Sequence, residues 1–158
     1  MMTTPNTITE NKNGKKTREA MLRERVVIRL ALDETGPMIA GILKDNGIEL
    51  PEADWNHVFP HWLIACDKDD VIGCVMVLPA KPVGYAEFLM VKPSVSFKLR
   101  AIAVRKLIVA AMATVQAGKA SYVACNIAEN NEKFSGVIEK LGVSKFHRRT
   151  LYVKKLTP

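Results

Sequence analysis

At 158 residues the chain has the length of one domain and can bury a substantial core. Its composition is 48% hydrophobic, which excludes a low-complexity or wholly disordered chain. Lys plus Arg number 23 against 16 Asp plus Glu, and the resulting +7 favours an acidic partner, a phosphorylated cofactor, a nucleic acid or an anionic surface, although solubility alone accounts for it equally well.

Residues 1–25 read as a flexible basic tail, and residues 26–158 as a single domain. Thr, Asn, Lys and Glu dominate the tail, so ordering it would bury too little to offset the entropy lost. Its last part, 17–25, tolerates a short helix through Ala20, Met21 and Glu24. The run 26–32 is a strand by its β-branched content. Asp33 suits a helix N-cap; Met38, Ile39, Ile42 and Leu43 then share one helical face, which Asn46-Gly47 closes. Residues 48–59 form a loop carrying Trp55, His57 and Phe59. His57 and His61 are about one helical turn apart, but Pro60 interrupts any helix that would align them, and no third ligand is near. No metal site is expected.

Residues 62–66 and 71–78 are apolar strands joined by Asp67-Lys68-Asp69-Asp70, an antiparallel hairpin. Its acidic turn lacks the Gly and distal Glu of a calcium loop and reads as solvated. A fourth strand, 85–91, runs through Lys92-Pro93-Ser94-Val95-Ser96 into a helix that opens on Phe97-Lys98-Leu99-Arg100 and stays almost wholly apolar through Val115. A strand that delivers the chain to the N-terminus of a cation-bearing helix can hold an anion. Free backbone N–H groups and the positive end of the helix dipole converge there.

A fifth strand follows at 120–126. Phe134, Val137, Ile138 and Leu141 mark a last helix ended by Gly142, and the basic run 143–156 supplies one or two closing strands. Three consecutive strands imply antiparallel pairing, and the strand–helix–strand units imply a parallel crossover. The fold class is therefore α/β: a mixed, mostly antiparallel central sheet with helices on both faces, about six to seven strands and about four helices. Cys66, Cys74 and Cys125 each lie in an apolar strand-like run and form no Cys-x-x-Cys pair, which points to buried thiols in a reducing cytoplasm. No run is apolar for the roughly 20 residues that span a bilayer, so no membrane partner is expected.

From 26 to 156 this element order resembles the GNAT family, the acyl-CoA-dependent N-acyltransferases. Two motif regions carry the resemblance. Leu89-Met90-Val91-Lys92-Pro93 is similar to the family's L-x-V-x-P at the end of its fourth strand, and residues 131–142, ending Ile138-Glu139-Lys140-Leu141-Gly142, are similar to its N-x-x-A-x-x-L-Y-E-K-L-G-F helix. The resemblance implies acetyl-CoA as acyl donor and an amine, on a small molecule or a protein, as acceptor. It implies that the backbone of Leu89, Met90 and Val91 lines a gap beside the fourth strand and holds the pantetheine arm. It also assigns Lys98, Leu99, Arg100, Ala101, Ile102 and Ala103 to the pyrophosphate loop and Asn131 to cofactor binding. Acceptor contacts would come from 48–61 and 143–152.

Glu87 is the lone acid of an otherwise apolar strand, directly upstream of that gap, and is the candidate general base. Two departures from the family pattern have chemical consequences. Lys98 and Ala101 stand where the loop has Arg or Gln and Gly, so a planar fork becomes a point charge and a Cβ narrows the approach to the backbone. Ile138 stands where the family often has a Tyr that protonates the leaving thiolate, and an aliphatic side chain has no proton to give. The alternative is therefore a catalytically inactive GNAT-fold protein with a binding or structural role. A homodimer is among the expected assemblies. Nucleic acid is not an expected partner, because no nucleic-acid-reading motif is present.

Overall fold

Each long apolar run becomes a strand of one sheet. In a computed structural model, residues 18–48, 61–126, 136, 138–142, 144–146 and 151–155 are described; Asn131, Trp55, His57 and Phe59 lie outside them. The strands are β1 (Val26–Leu30), β2 (Trp62–Asp67), β3 (Asp70–Leu78), β4 (Val83–Val91), β5 (Tyr122–Asn126), β6 (Ser144–Phe146) and β7 (Leu151–Lys155), in the spatial order β1-β2-β3-β4-β5-β7-β6. Among these, only β4 and β5 run parallel, because α3 (Phe97–Ala117) carries the chain back across the sheet between them. The pairings β1–β2, β2–β3, β3–β4, β5–β7 and β6–β7 are antiparallel. This is the mixed, mostly antiparallel sheet expected from the element order.

Both faces of the sheet are covered, which is why β2 and β3 read as continuous apolar runs and do not alternate with polar residues. On one face Leu63, Ala65, Val75 and Val77 meet Leu99, Ala103, Leu107, Ala111 and Val115, a stripe that recurs every fourth residue of α3. On the other, Trp62, Ile64, Cys66 and Cys74 meet Ile39, Ile42 and Leu43 of α2 (Gly36–Asp45). Each fully buried aliphatic side chain contributes about 2 kcal/mol. Residues 138–140 are helical, and Ile138 packs on Ile108 of α3.

The second helix starts later than the Asp33 cap predicts. Asp33–Thr35 forms a 3-10 turn, and α2 begins at Gly36 with Pro37 in its first turn. Proline has no N–H to satisfy and suits a helix start, so it resets the boundary. Thr35 closes the turn: its Oγ1 donates to Leu32 O at 2.6 Å and accepts from Leu32 N at 3.1 Å.

The short helix tolerated near residue 20 is present as α1 (Arg18–Arg25). Arg25 ends it with a fork onto Asp67, Nε to Oδ1 at 3.0 Å and Nη2 to Oδ2 at 2.5 Å. Asp70, at the other end of the acidic turn, accepts from Lys92 Nζ at 2.6 Å. The turn between β2 and β3 therefore holds α1 and the end of β4, a positional role beyond that of a solvated turn. Among the described residues, no helix is long and apolar enough to cross a membrane.

At Gly84 the sheet lies close against α3. A Cβ there would stand 2.4 Å from Cγ1 of the fully buried Val115. Gly84→Ala is expected to lower stability by about 1–3 kcal/mol in urea unfolding, by overpacking. A variant as stable as the parent would show that α3 is free to shift.

Candidate active site at the β4–β5 gap

The site begins with one extra residue in β4. Cys74 faces Met90 and Met76 faces Glu87, so Phe88 and Leu89 together oppose Val75, a β-bulge. Phe88 takes a left-handed φ of +52°, which costs a non-glycine residue about 1–3 kcal/mol. Packing offsets it: the Phe88 ring lies 6.1 Å from that of Trp62, at 27°. The bulge directs Phe88 and Met90 to the α2 side of the sheet and Leu89 to the α3 side.

Ahead of the bulge the parallel edge of β4 already opens. Its ladder with β5 comprises Val83↔Tyr122, Gly84↔Val123 and Tyr85↔Ala124, and then stops, although both strands continue. Lys92 N donates to Ile72 O at 2.8 Å, so antiparallel alternation commits the Met90 amide to β3 and turns the Val91 amide the other way. Val91 O agrees with this: it accepts from Asn46 Nδ2, off β3, at 3.4 Å. Of the three residues expected to line the gap, Val91 presents its backbone there, Met90 faces β3, and Leu89 sits in the bulge.

From Val91 a tight turn, Val95 N to Lys92 O at 3.2 Å, leads to Ser96, which caps α3 without a side-chain hydrogen bond. Arg100 N is bonded to Ser96 O at 2.9 Å. The amides of Phe97, Lys98 and Leu99 thus have no intrahelical acceptor. Those of Ala101, Ile102 and Ala103 bond four residues back inside α3, so the open donors sit at the early end of the predicted 98–103 loop. Leu99 and Ala103 turn their side chains into the core. Lys98 is exposed and Arg100 half-buried. The Arg100 Nε is shielded from solvent and meets no acceptor among the described residues, an orphan that an anion at the helix start would satisfy.

Glu87 is half-buried on β4, opposite Met76. Its carboxylate bears on Cys125 of β5, one residue past the end of the ladder; burial first, and then Glu87, push that thiol up to about 11. Cys125 shares an apolar cluster with Leu89, Val104, Ile108, Met112 and Ile138. The α3 side of the gap is therefore greasy, and Ile138 is buried in it. Cys66 and Cys74 are buried as expected, but Cys125 is only half-buried, at the open end of β5. Its proximity to Glu87 depends on the parallel register and has no local sequence signal, and neither has the left-handed Phe88.

No family profile matches the sequence, and no curated protein sequence matches it. Solved structures do match the fold. N-acetylglutamate synthase from Neisseria gonorrhoeae, solved with coenzyme A and L-arginine, superposes with a TM-score of 0.69 at 14% identity over 84% of this chain and 34% of its own. The chain thus spans about a third of that enzyme's length. A chain of the NatC complex bound to Gag peptide and CoA gives 0.67 at 17% identity, over 84% of this chain and 99% of its own. A protein assigned to the GNAT family from Desulfovibrio desulfuricans gives 0.65 at 16%, over 84% and 99%. The chain has the GNAT fold, in a divergent sequence.

The Cys125 thiol should stay protonated at neutral pH and react slowly with iodoacetamide, its labelling rate climbing as pH approaches about 11. Since the Glu87 charge raises the value, Glu87→Gln should move the midpoint of labelling, followed by peptide mass spectrometry, to lower pH. An unmoved midpoint would mean that the carboxylate does not reach the thiol.

Proposed function

We propose that this chain is an acyl-CoA-dependent N-acyltransferase with acetyl-CoA as donor and an amine as acceptor. The observation that carries this reading is the β4–β5 ladder that ends after Tyr85↔Ala124, next to a helix start whose amides have no cap. Coenzyme A in the N-acetylglutamate synthase and NatC structures supports it. The orphaned Arg100 Nε fits a diphosphate.

Acetyl-CoA bound there would supply an acyl carbonyl activated as a thioester. The amides of Phe97, Lys98 and Leu99, with the Lys98 and Arg100 cations, would hold its phosphates; each charge-assisted hydrogen bond is worth about 1.5–3 kcal/mol. The Val91 amide, fixed by the β3 register, orients the arm in the gap, and a preorganised donor aimed at developing charge lowers a barrier by about 3 kcal/mol. An amine of pKa about 10 arrives protonated, and Glu87 accepts the proton that must leave before it can attack. Leu89, Ile108 and Ile138 keep water out of the gap. Two protons leave the nitrogen, one before attack, which Glu87 would pass to solvent, and one as the amide forms; Ile138 has no proton to give, so this second proton, relayed by Glu87, would be the one that reaches the thiolate.

The same Ile138 favours a second reading, a GNAT-fold protein that binds the donor without turnover. Of the stretches expected to contact the acceptor, 48–61 and 143–152, residues 49–60, 143 and 147–150 lie outside the described residues, and the acceptor class is an amine.

Calorimetry with acetyl-CoA tests the first step. Binding is expected, weakened about tenfold or more by Lys98→Glu with Arg100→Gln. Absence of heat at millimolar donor ends the proposal. Glu87→Gln should lower kcat by about a hundredfold or more while donor affinity holds. Donor binding with no product over a panel of amines selects the second reading.

A further inference from the structure

A groove of about 970 Å³ runs along the outer side of α3, walled by α1. It is separate from the β4–β5 gap: its floor uses Ile102 and Val109 of α3 with Leu22 of α1, whereas Val104, Ile108 and Met112 face the gap. A helix that is apolar nearly all round is ordinarily covered on both sides. α3 is such a helix over 21 residues, and the eight residues of α1 leave much of its outer side open. Phe97 is 77% exposed and Val109 50%.

The rim is cationic. Lys98 and Arg105 border the groove, and no carboxylate lines it among the described residues. Lys106 is committed to closing the end of α1, its Nζ donating to Arg23 O at 2.7 Å and Val26 O at 2.6 Å. An apolar floor under a positive rim matches an occupant that is apolar on one side and acidic at its edges. A second copy would bring the same positive rim. Residues 1–17 carry Lys12, Lys15 and Lys16 against Glu10, without an apolar period. A flat lipid surface reaches Phe97 and the exposed edge of the floor at Val109 but leaves its half-buried part, Ile102 and Leu22, unfilled. The lining extends along α3 from Phe97 to Ala113, about 24 Å of helix axis, the length of four to five turns of a helix laid beside it.

We propose that this groove docks an acidic amphipathic helix of a partner protein, its apolar face on Ile102 and Val109 and its carboxylates at Lys98 and Arg105. The groove borders the proposed phosphate site, since Lys98 lies on both, and Arg105 and Val109 belong to the groove alone.

The test uses the full chain and a fluorescein-labelled peptide of about 18 residues, with Leu at helical spacing on one face and Glu elsewhere. Anisotropy is expected to saturate in the micromolar range and to weaken as salt rises. Val109→Asp and Arg105→Glu, both at exposed positions, should each weaken binding about tenfold or more while the thermal melt and acetyl-CoA affinity hold. The same peptide with Lys in place of Glu should bind about tenfold more weakly or worse. Failure to saturate at about 1 mM, equal binding of the Lys peptide, or unchanged affinity in both variants overturns the proposal. So does binding to phosphatidylcholine–phosphatidylserine vesicles that is lost in Val109→Asp when the peptide does not bind; that would make the face a lipid contact.

Discussion

β4 has two edges under different constraints, and the candidate active site follows from that difference. Its antiparallel edge pairs with β3 almost to the end, through a bulge that adds Phe88. Its parallel edge holds β5 for three pairs only. The first edge makes β4 rigid. The second leaves an opening between strands that both continue past it. Because β4 is rigid, the opening keeps a defined shape, and the Val91 backbone stays aimed at it. A left-handed Phe is tolerated because the ring is stacked on Trp62, so the cost of the bulge is met within the core.

The charges divide into those that hold the frame and those that remain open. Arg25 grips Asp67, Lys92 grips Asp70, and Lys106 closes α1. The two ion pairs, at the surface, add little stability and matter here for position: they fasten α1 and the end of β4 to one turn. The second group lies along α3. Arg100 keeps a shielded nitrogen without an acceptor among the described residues, while Lys98 and Arg105 border the outer groove. One apolar helix thus serves two surfaces, a gap on one flank and a groove on the other, because successive residues of a helix point about 100° apart.

The chemistry of the gap is spare. Ile138, at the place of the Tyr in the motif this stretch resembles, is buried against Ile108, and the nearby Cys125 is held as a thiol by burial and by the Glu87 charge. Glu87 is the carboxylate that bears on this cluster, through Cys125. The proposed reaction needs one group for both proton steps, and it rests on that residue.

Much of the fold was legible along the chain. The apolar runs of β2 to β5, the turn at Asp67–Asp70, the four-residue stripe of α3 and the anion-ready start of that helix all follow from local patterns, since burial period and capping chemistry are written in neighbouring residues. Pro37 shows the limit even locally, moving a helix start away from the better cap. What tertiary structure alone decided is which groups meet. The end of the β4–β5 ladder, the left-handed Phe88, the Val91 amide turned off β3, the Glu87 charge on Cys125 and the groove between α1 and α3 join residues far apart in sequence. Register, bulge and helix packing set those distances, and no short stretch of residues encodes them.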